Sequence, residues 1–249
     1  MSIESERDLH GIRRAGRVVA ETLAAMRAAA RPGITTAELD EVGARRLTQY
    51  GARSAPRMVY GFPGINLISV NDEIVHGVPG NRRLVAADVV KLDVTAELDG
   101  YIADAAETIV VPPVSMTAAR LRACARDAFR KGLAAAEVGR PVRAIGAAVE
   151  RHVVRCGFHV VRELCGHGVG RTIHEEPSVP NYDDPFAVQR LTDGLVITIE
   201  PLIAASRTRP VTDADGWTIR TQNASLAAHY EHTIIVWRGG AEIVTRRAA

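Results

Sequence analysis

The sequence has few of the residues that mark several classes of protein. Its 249 residues include only three cysteines, Cys124, Cys156 and Cys165, and no two of them form a C-x-x-C pair. An odd number of scattered thiols does not build a disulfide framework and suits a reducing compartment. None of the three needs a catalytic role. Cys165 lies two residues before His167, so a position near a functional site is one interpretation, but we favour a small buried apolar filler.

Excess charge and long apolar runs are also lacking. Lys and Arg number 31 against 29 Asp and Glu, which leaves a formal net charge of +2, and the arginines are scattered along helix-like segments. This balance does not support a nucleic-acid partner. Residues 1–7 are polar and acidic, unlike a secretory signal, and no apolar run approaches the length of a membrane span. We therefore expect a cytoplasmic protein without a membrane segment.

Apolar residues are plentiful, at 47 % of the chain. A chain of this length and composition can bury one substantial core, so we predict a single α/β domain over residues 1–249. Two unlinked domains are disfavoured. The elements that surround this core must then be read from the periodicity of the apolar positions.

One order of elements occurs twice along the chain. Helical spacing over residues 6–30 ends at a Pro-Gly break, and a second helix begins at a capping box near Thr35 and ends at Gly51. The order returns with helices over 117–137 and up to 156, which end at Gly157. Strand-like segments follow each copy, at 66–70 and 89–111, then at 195–203 and 229–237. We infer two similar halves, about 1–112 and 113–249, with a site in the seam between them.

A hairpin in the first half carries two aspartates. The dipeptide Asp99-Gly100 is a strong signal for a two-residue turn, which would pair Thr95 with Asp104 and Asp93 with Ala106. Asp93 and Asp104 then lie on one face as diagonal neighbours, roughly 7–8 Å apart at the backbone and able to share metal ions. Two solvent-facing acids on an ordinary hairpin are the alternative.

The second half supplies two histidines and two glutamates. His167 and His174 lie seven residues apart in a glycine-rich segment, which favours one metal ligand and one proton donor, although a lone histidine in such a loop is more often structural. Glu200 ends a buried-type strand before a proline, and Glu231 opens another strand. For either glutamate alone, a solvated strand end is the simpler interpretation. Four carboxylates and one imidazole together are typical of a two-metal hydrolase.

Five motifs in this order resemble the methionine aminopeptidases, nearest the short bacterial type. They are Asn71–Pro79, the two aspartates of the hairpin, Gly166–Pro177, Thr198–Pro201 and Tyr230–Thr233. The resemblance covers almost the whole chain. It implies the pita-bread fold, in which two pseudo-symmetric halves surround an antiparallel sheet with helices outside, and removal of the initiator methionine by metal-activated water.

The resemblance also implies roles for single residues. The site would hold two divalent ions (Co, Mn, Fe or Zn). Asp93 would bind one ion, and His167 and Glu200 would bind the other. Asp104 and Glu231 would bridge both ions. Glu200 would accept the proton of the water, His174 would stabilise the oxyanion, and His76 would contact the substrate beside the scissile bond. Phe62, Ile173 and Trp217 resemble the lining of the methionine pocket.

Some positions depart from the family pattern. Val59 and Leu67 stand where the resemblance leads us to expect a tyrosine and a cysteine of the pocket. Lys91 replaces a small polar residue two before Asp93, and strand parity turns it to the same face as the metal ligands. A cation there would either weaken metal binding or, as we expect, pair with a nearby carboxylate. Ala105 follows Asp104 where a hydroxyl residue is usual, which removes a possible hydrogen bond.

Two other functions stay open alongside methionine removal. Xaa-Pro aminopeptidases share the fold and much the same ligands, but they usually carry an extra N-terminal domain that this sequence lacks. A binding protein that kept the fold and lost the chemistry is the other alternative. The expected partners are peptides and nascent chains that begin with methionine. Association with the ribosome is left open, and we expect a monomer.

Overall fold

The chain folds around a curled antiparallel sheet with helices packed outside it. The computed structural model describes residues 1–246. None of the helices in this part of the chain has the length and apolar character that a bilayer crossing requires. The helices are α1 (Glu6–Ala29), α2 (Thr36–Gln49), α3 (Ala55–Tyr60), α4 (Met116–Ala135) and α5 (Arg143–Arg155).

The ends of the helices follow local capping chemistry. Thr35 and Glu38 form the predicted capping box at the start of α2, with each side chain bonded to the backbone of the other residue. Gly51 and Gly157 follow α2 and α5 with φ of 68° and 81°, a left-handed conformation that glycine adopts without strain. The four long helices predicted from the sequence are therefore confirmed. The short α3 was not predicted.

The strands are mostly short. They are β1 (Arg53–Ser54), β2 (Leu67–Val70), β3 (Glu73–Val75), β4 (Val89–Leu98), β5 (Tyr101–Val110), β6 (His159–Val160), β7 (Cys165–Gly168), β8 (Glu175–Pro180), β9 (Leu195–Ile199), β10 (Leu202–Ala204), β11 (Pro210–Thr212), β12 (Ile219–Thr221), β13 (Ala227–His229), β14 (Glu231–Trp237) and β15 (Gly240–Ile243). The predicted strands 195–203 and 229–237 are each broken once. The breaks fall at Glu200-Pro201 and at Tyr230.

The largest sheet runs in the order β1-β4-β5-β14-β9-β7-β8, with β2 also paired to β4 and β15 to β14. The hairpin of β4 and β5 has the predicted register, with Thr95 opposite Asp104 and Asp93 opposite Ala106. Its turn residues Asp99 and Gly100 have φ of 51° and 82°, as the two-residue turn requires. The two aspartates therefore lie on one face of the sheet.

The strands β5 and β14 join the two parts of the sheet. Their ladder contains only two residue pairs, Glu231 with Ala106 and His232 with Ala105. Beyond it the Thr233 hydroxyl donates to the Asp104 carbonyl at 2.8 Å and accepts from the Asp104 amide at 2.9 Å. This hydroxyl bridge holds Asp104 and Glu231 beside each other.

Separate apolar clusters cover the two sides of this junction. Helix α1 packs on β4 and β5, and α4 packs against α5 and the neighbouring short strands. The largest cluster, which includes Ile12, Val19 and Leu92, lies under α1 and α2. Phe129 and Ile145 belong to a second cluster under α4 and α5. Both packed layers leave the acidic face of the sheet uncovered.

Candidate active site

Four carboxylates meet at the junction of β5 and β14. Asp93, Asp104, Glu200 and Glu231 are 9 %, 6 %, 9 % and 2 % exposed. These values exclude two alternatives from the sequence. Asp93 and Asp104 do not face solvent on the hairpin, and Glu200 and Glu231 are not solvated ends of strands. Those alternatives are wrong because each acid is placed by a strand whose alternate residues face the inside of the curled sheet. We call the four acids, with His167 and His229, the acid wall.

The acids raise one another's proton affinity. Burial raises the pKa of Asp104 to about 7. Burial and the Asp104 charge raise the pKa values of Glu200 and Glu231 well above the ordinary range, and burial has the same effect on Asp93. No lysine or arginine among the described residues forms a salt bridge with these carboxylates. Such a group is stable as anions only if cations bind between them.

His167 is oriented by its own backbone. Its Nδ1 lies 2.9 Å from the Gly168 carbonyl oxygen, which can only accept, so Nδ1 carries the proton and Nε2 keeps its lone pair. The Nε2 atom lies 3.5 Å from Glu200 Oε1. Burial lowers the pKa of His167 to about 4, which favours the neutral ring. A neutral ring fixed by a carbonyl is the form that binds metals.

Thr198 connects this histidine to the neighbouring acid. Its hydroxyl donates to Glu200 Oε1 at 2.9 Å and accepts from the His167 amide at 3.0 Å. Asn181 donates its side-chain amide to the Glu200 carbonyl at 2.9 Å. The Glu200 side chain, just after the end of β9, thus belongs to the acid wall, while its carbonyl keeps a hydrogen bond to Asn181.

Sequence reasoning missed His229. This residue is 2 % exposed, and its Nε2 lies 3.2 Å from Glu231 Oε2 and 4.0 Å from Glu200 Oε2. Burial lowers its pKa to about 3. Its position two residues before Glu231 was the available signal, because residues i and i+2 of an extended segment share a face.

A second wall faces the acids across a cavity of about 560 Å³. The loop wall, as we call it, consists of residues from α3 and from loops. Phe62 and Trp217 meet edge to face with ring centroids 5.3 Å apart. Its members are Tyr60, Phe62, His76, Ile173, His174 and Trp217, so the structure brings every residue predicted for the substrate pocket to this cavity.

Two histidines of the loop wall approach the acids. The His174 and His167 rings meet edge to face at 4.3 Å between centroids. His76 follows β3 with a left-handed φ of 58°, a conformation uncommon for a residue with a side chain. Burial and the neighbouring His174 lower the pKa of His76 to about 4. Both rings therefore face the cavity in their neutral form near pH 7.

Tyr60 supplies the tyrosine that was sought at Val59. The Tyr60 hydroxyl lies 2.6 Å from Nδ1 of His174 and lines the cavity, whereas Val59 is 46 % exposed and does not line it. The prediction was one residue off because α3 was not foreseen, and a helical turn changes which position faces inward. Leu67 does line the cavity, as predicted.

The expected partner of Lys91 was also wrong. Its ammonium donates to the carbonyls of Asn71 at 2.8 Å and Val89 at 3.4 Å, and the described residues contain no salt bridge to it. The side chain is 1 % exposed, and burial lowers its pKa to about 7. The Asn71 turn, with φ of 59°, offers the ammonium a carbonyl, which takes the place of the expected carboxylate partner.

The interpretation of Cys165 as a buried filler is corrected as well. Its residue is half-buried, lines the cavity and places Sγ 3.8 Å from the Ser178 hydroxyl. The residue lies in β7, whose alternate positions face the cavity, so the parity that exposes His167 also exposes Cys165.

The acid wall has the donor set of a metal centre. Donor atoms of Asp93, His229 and Glu231 lie within 4.8 Å of one another, as do those of Asp104, His167 and Glu231. Single oxygens of Asp93, Asp104 and Glu231 and both ring nitrogens of His229 are buried without hydrogen-bond partners among the described residues. Buried polar atoms normally have partners, so these atoms fit divalent cations. Glu231 belongs to both groups, while Glu200 lies beside His167 outside them.

The chain is similar to known metallopeptidases over nearly its whole length. The sequence profile of metallopeptidase family M24 matches residues 10–238. The "Methionine aminopeptidase" of Clostridium perfringens is 38 % identical, with 98 % of each chain covered. "Methionine aminopeptidase 2" of Bacillus subtilis is 38 % identical, with 99 % of this chain and 100 % of the relative covered.

Solved structures extend the similarity to the backbone. The crystal structure of methionine aminopeptidase from Thermotoga maritima matches with a TM-score of 0.96 at 31 % identity, over 99 % of this chain and all of that chain. The prolidase from Pyrococcus furiosus matches with a TM-score of 0.78 at 21 % identity, over 99 % of this chain and 66 % of that one. The prolidase therefore shows a shared pita-bread fold and no more.

Proposed function

Because this chain belongs to metallopeptidase family M24, among relatives named methionine aminopeptidase, we propose that it removes N-terminal methionine from peptides and nascent proteins. The observation that carries the proposal is the acid wall, where buried carboxylates with raised pKa values lie at one side of a cavity whose other side is apolar. A free α-amine, unlike an amide nitrogen, has a lone pair to offer to ions held by these acids, so the site suits the free end of a peptide chain.

Two divalent ions complete the proposed centre. Asp93, His229 and Glu231 would hold one, and Asp104, His167 and Glu231 the other, with Glu200 beside His167. Such ions acidify water and polarise a peptide carbonyl. The carboxylate and imidazole donors fit Mn, Fe, Co or Zn, and the donor set alone does not choose among them.

Glu200 is the proposed proton acceptor. Its raised pKa makes it more basic than an ordinary glutamate, and the Thr198 hydroxyl keeps Oε1 in place at 2.9 Å. The carboxylate can take a proton from water and later return it to the leaving amine, as general acid-base catalysis requires. The hydrogen bond from Thr198 to Oε1 leaves Oε2 for this exchange.

His174 is the proposed donor to the oxyanion. The Tyr60 hydroxyl is placed to donate to Nδ1 of His174 at 2.6 Å, which leaves the proton of the neutral ring on Nε2. A fixed N–H of this kind stabilises negative charge that develops on the carbonyl oxygen. His76 is the proposed contact to the substrate backbone on the same wall.

The apolar part of the loop wall suits an unbranched side chain. Phe62, Ile173 and Trp217 line the cavity together with Leu67. A thioether makes favourable contacts with aromatic ring edges, and methionine is flexible enough to follow an irregular apolar surface. We propose that these residues select methionine at the first position of the substrate.

The test is release of free methionine from Met-Ala-Ser by chelator-treated protein to which Mn, Fe, Co or Zn is returned singly. Leu-Ala-Ser tests the side-chain pocket, acetyl-Met-Ala-Ser tests the need for a free amine, and Ala-Pro peptides test the prolidase alternative. We expect metal-dependent release from Met-Ala-Ser alone. Release from the acetylated peptide would contradict the proposed amine recognition, and no release with any metal from folded protein would favour the binding-protein alternative.

A further inference from the structure

A second group of metal-binding side chains lies between α4 and α5, away from the cavity. The Cys124 and Cys156 sulfurs and a ring nitrogen of His152 all lie within 4.8 Å of one another. None of these residues lines the cavity of the candidate active site. The sequence showed three scattered cysteines and no metal spacing, so only the packing of the helices reveals this group.

The spacing on α5 brings two of the three donors together. His152 and Cys156 are four residues apart at the end of α5, so they share a face one turn apart. The Cys156 Sγ lies 3.5 Å from Nε2 of His152. Cys156 is also held through its backbone, whose carbonyl accepts from the Arg120 guanidinium at 3.1 Å.

The third donor comes from the facing helix. Cys124 is 3 % exposed and lies on the buried face of α4, which packs against α5. It shares an apolar cluster with Val149 and Val153 of α5. This packing fixes the distance between the helices and so fixes the opening between the two sulfurs and the imidazole.

The observed separations suit a tetrahedral ion. Zinc bonds of about 2.3 Å to sulfur and 2.0–2.1 Å to nitrogen, at tetrahedral angles, imply about 3.6 Å between sulfur and nitrogen and about 3.8 Å between two sulfurs. The 3.5 Å between Cys156 Sγ and His152 Nε2 matches the first value. The 4.8 Å limit on all three separations is compatible with the second.

The donor chemistry is different from that of the acid wall. Thiolates select zinc and other thiophilic ions, whereas carboxylates suit harder cations. His152 and Cys156 are half-buried, so the fourth position faces outward. A water can occupy it, since the Asp127 carboxylate on α4 pairs with Arg126 and Arg130.

The charges around the group are mixed. Asp127 and Arg120 both lie close enough to Cys124 to act on it electrostatically, in opposite directions. Burial and the neighbouring Cys156 thiol raise the pKa of Cys124, so a binding ion must displace protons.

We propose that Cys124, His152 and Cys156 form a second metal site, which takes Zn²⁺ or a similar thiophilic divalent ion and clamps α4 to α5. The site is independent of the proposed peptidase activity. An ion held by both helices stabilises the folded chain, because the unfolded chain does not present the three donors together.

Cobalt distinguishes this site from the acid wall. Co²⁺ bound to thiolates has a near-ultraviolet sulfur-to-metal charge-transfer band, which carboxylate and imidazole ligands do not produce. We expect the band when Co²⁺ is added to metal-free, reduced protein, and its loss on addition of Zn²⁺. The matched control is Cys165→Ser, which changes the only cysteine at the cavity and should keep the band.

Variants of the proposed ligands should lose the signal. Cys156→Ser should abolish the band, His152→Asn should weaken it, and either should bind one zinc ion fewer per chain than Cys165→Ser does. Far-ultraviolet circular dichroism checks that each variant is folded. Zn²⁺ should also raise the unfolding temperature of Cys165→Ser more than that of Cys156→Ser.

Three results would overturn the proposal. They are a folded, reduced wild type without the band, a band that persists in folded Cys156→Ser, and a band lost in Cys165→Ser. A thiol count on protein that has not been reduced provides a further check. If that count is two thiols short and the reduced protein shows no band, Cys124 and Cys156 form a disulfide in place of a metal site. Should Cys156→Ser fail to fold, the wild-type spectrum and His152→Asn still decide the question.

Discussion

The two walls of the cavity are built in different ways. The acid wall rests on strands, with Asp93 and Asp104 in one hairpin and its other members at or beside the ends of β7, β9, β13 and β14. The loop wall rests on the end of α3 and on loops after β3, before β8 and before β12. Strand ladders fix which side chains face inward, whereas loops depend on contacts from distant segments. We therefore expect the acid wall to be the more rigid of the two, and substrate specificity to depend more on the loop wall.

Loss of one proposed metal-binding acid should disable the acid wall and leave the loop wall intact. We expect Asp104→Asn to reduce methionine release below detection, because an amide oxygen cannot supply the charge that holds divalent ions. The fold should persist, since the hydroxyl bridge from Thr233 reaches only the backbone of residue 104. Peptide assays and bound-metal analysis measure the effect, with the exposed Asp183→Asn as the matched control. Substantial residual turnover would remove Asp104 from the centre.

Loss of the proposed oxyanion donor should lower catalysis through the loop wall and leave metal binding by the acid wall unchanged. We expect His174→Ala to lower kcat by about 10²–10³-fold, the usual cost of one such donor. Bound metal should stay at the wild-type level, because His174 belongs to neither group of clustered donors. A parallel loss of metal would show that His174 acts through the centre, contrary to our assignment.

His229 tests how far the acid wall extends. We expect His229→Asn to weaken metal affinity by about 10–100-fold, whether the ring binds an ion or orients Glu231. Titration of chelator-treated protein with Mn²⁺, followed calorimetrically, measures the change. His232→Asn is the control, because that ring bonds to Thr245 and Tyr230 away from the cavity. Equal affinities of wild type and His229→Asn would exclude His229 from the centre.

The raised pKa values of the acids predict how binding depends on pH. Burial raises the pKa of Asp104 to about 7 and raises those of Asp93, Glu200 and Glu231 well above their ordinary values, so Asp104 holds a proton in part of the metal-free protein near pH 7. Metal must displace bound protons, and affinity should rise about tenfold per pH unit for each proton released. Calorimetry in buffers of different ionisation enthalpy counts the protons. If no protons were released on metal binding, the raised pKa values of the acid wall would be contradicted.

The smallest effect is expected from the partner of His174. Tyr60→Phe removes one hydrogen bond to Nδ1, which is worth about 0.5–1.5 kcal/mol and so about 2–10-fold in kcat. KM should change little, because the phenyl ring still lines the cavity. Val59→Ala, at the exposed neighbouring position, is the control. If Val59→Ala lowered kcat as much as Tyr60→Phe does, the effect would come from the packing of α3 and not from the Tyr60 hydrogen bond.

Residues in regular elements were predicted well. The turn Asp99-Gly100 determined the register of β4 and β5, and that register placed Asp93 and Asp104 on one face. The capping box at Thr35 and Glu38 located the start of α2. These features depend on contacts between residues close in sequence, which periodicity and capping rules describe.

Residues placed by distant contacts were predicted less well. Val59 was chosen where Tyr60 lines the cavity, and Lys91 was paired with a carboxylate where it bonds to the Asn71 carbonyl. His229 was overlooked. In each case the partner comes from a turn or strand far along the chain, and no local pattern shows which side chains converge.

The sequence by itself determined the four long helices, the hairpin register and the order of the metal-binding motifs, because neighbouring residues set all three. Only the tertiary structure decided that His229 joins the acids and that Tyr60 supports His174. The same holds for Cys124, which meets His152 and Cys156 across two helices. Such clusters depend on how packed layers bring distant donors within a few ångströms, and that distance is not encoded in the spacing along the chain.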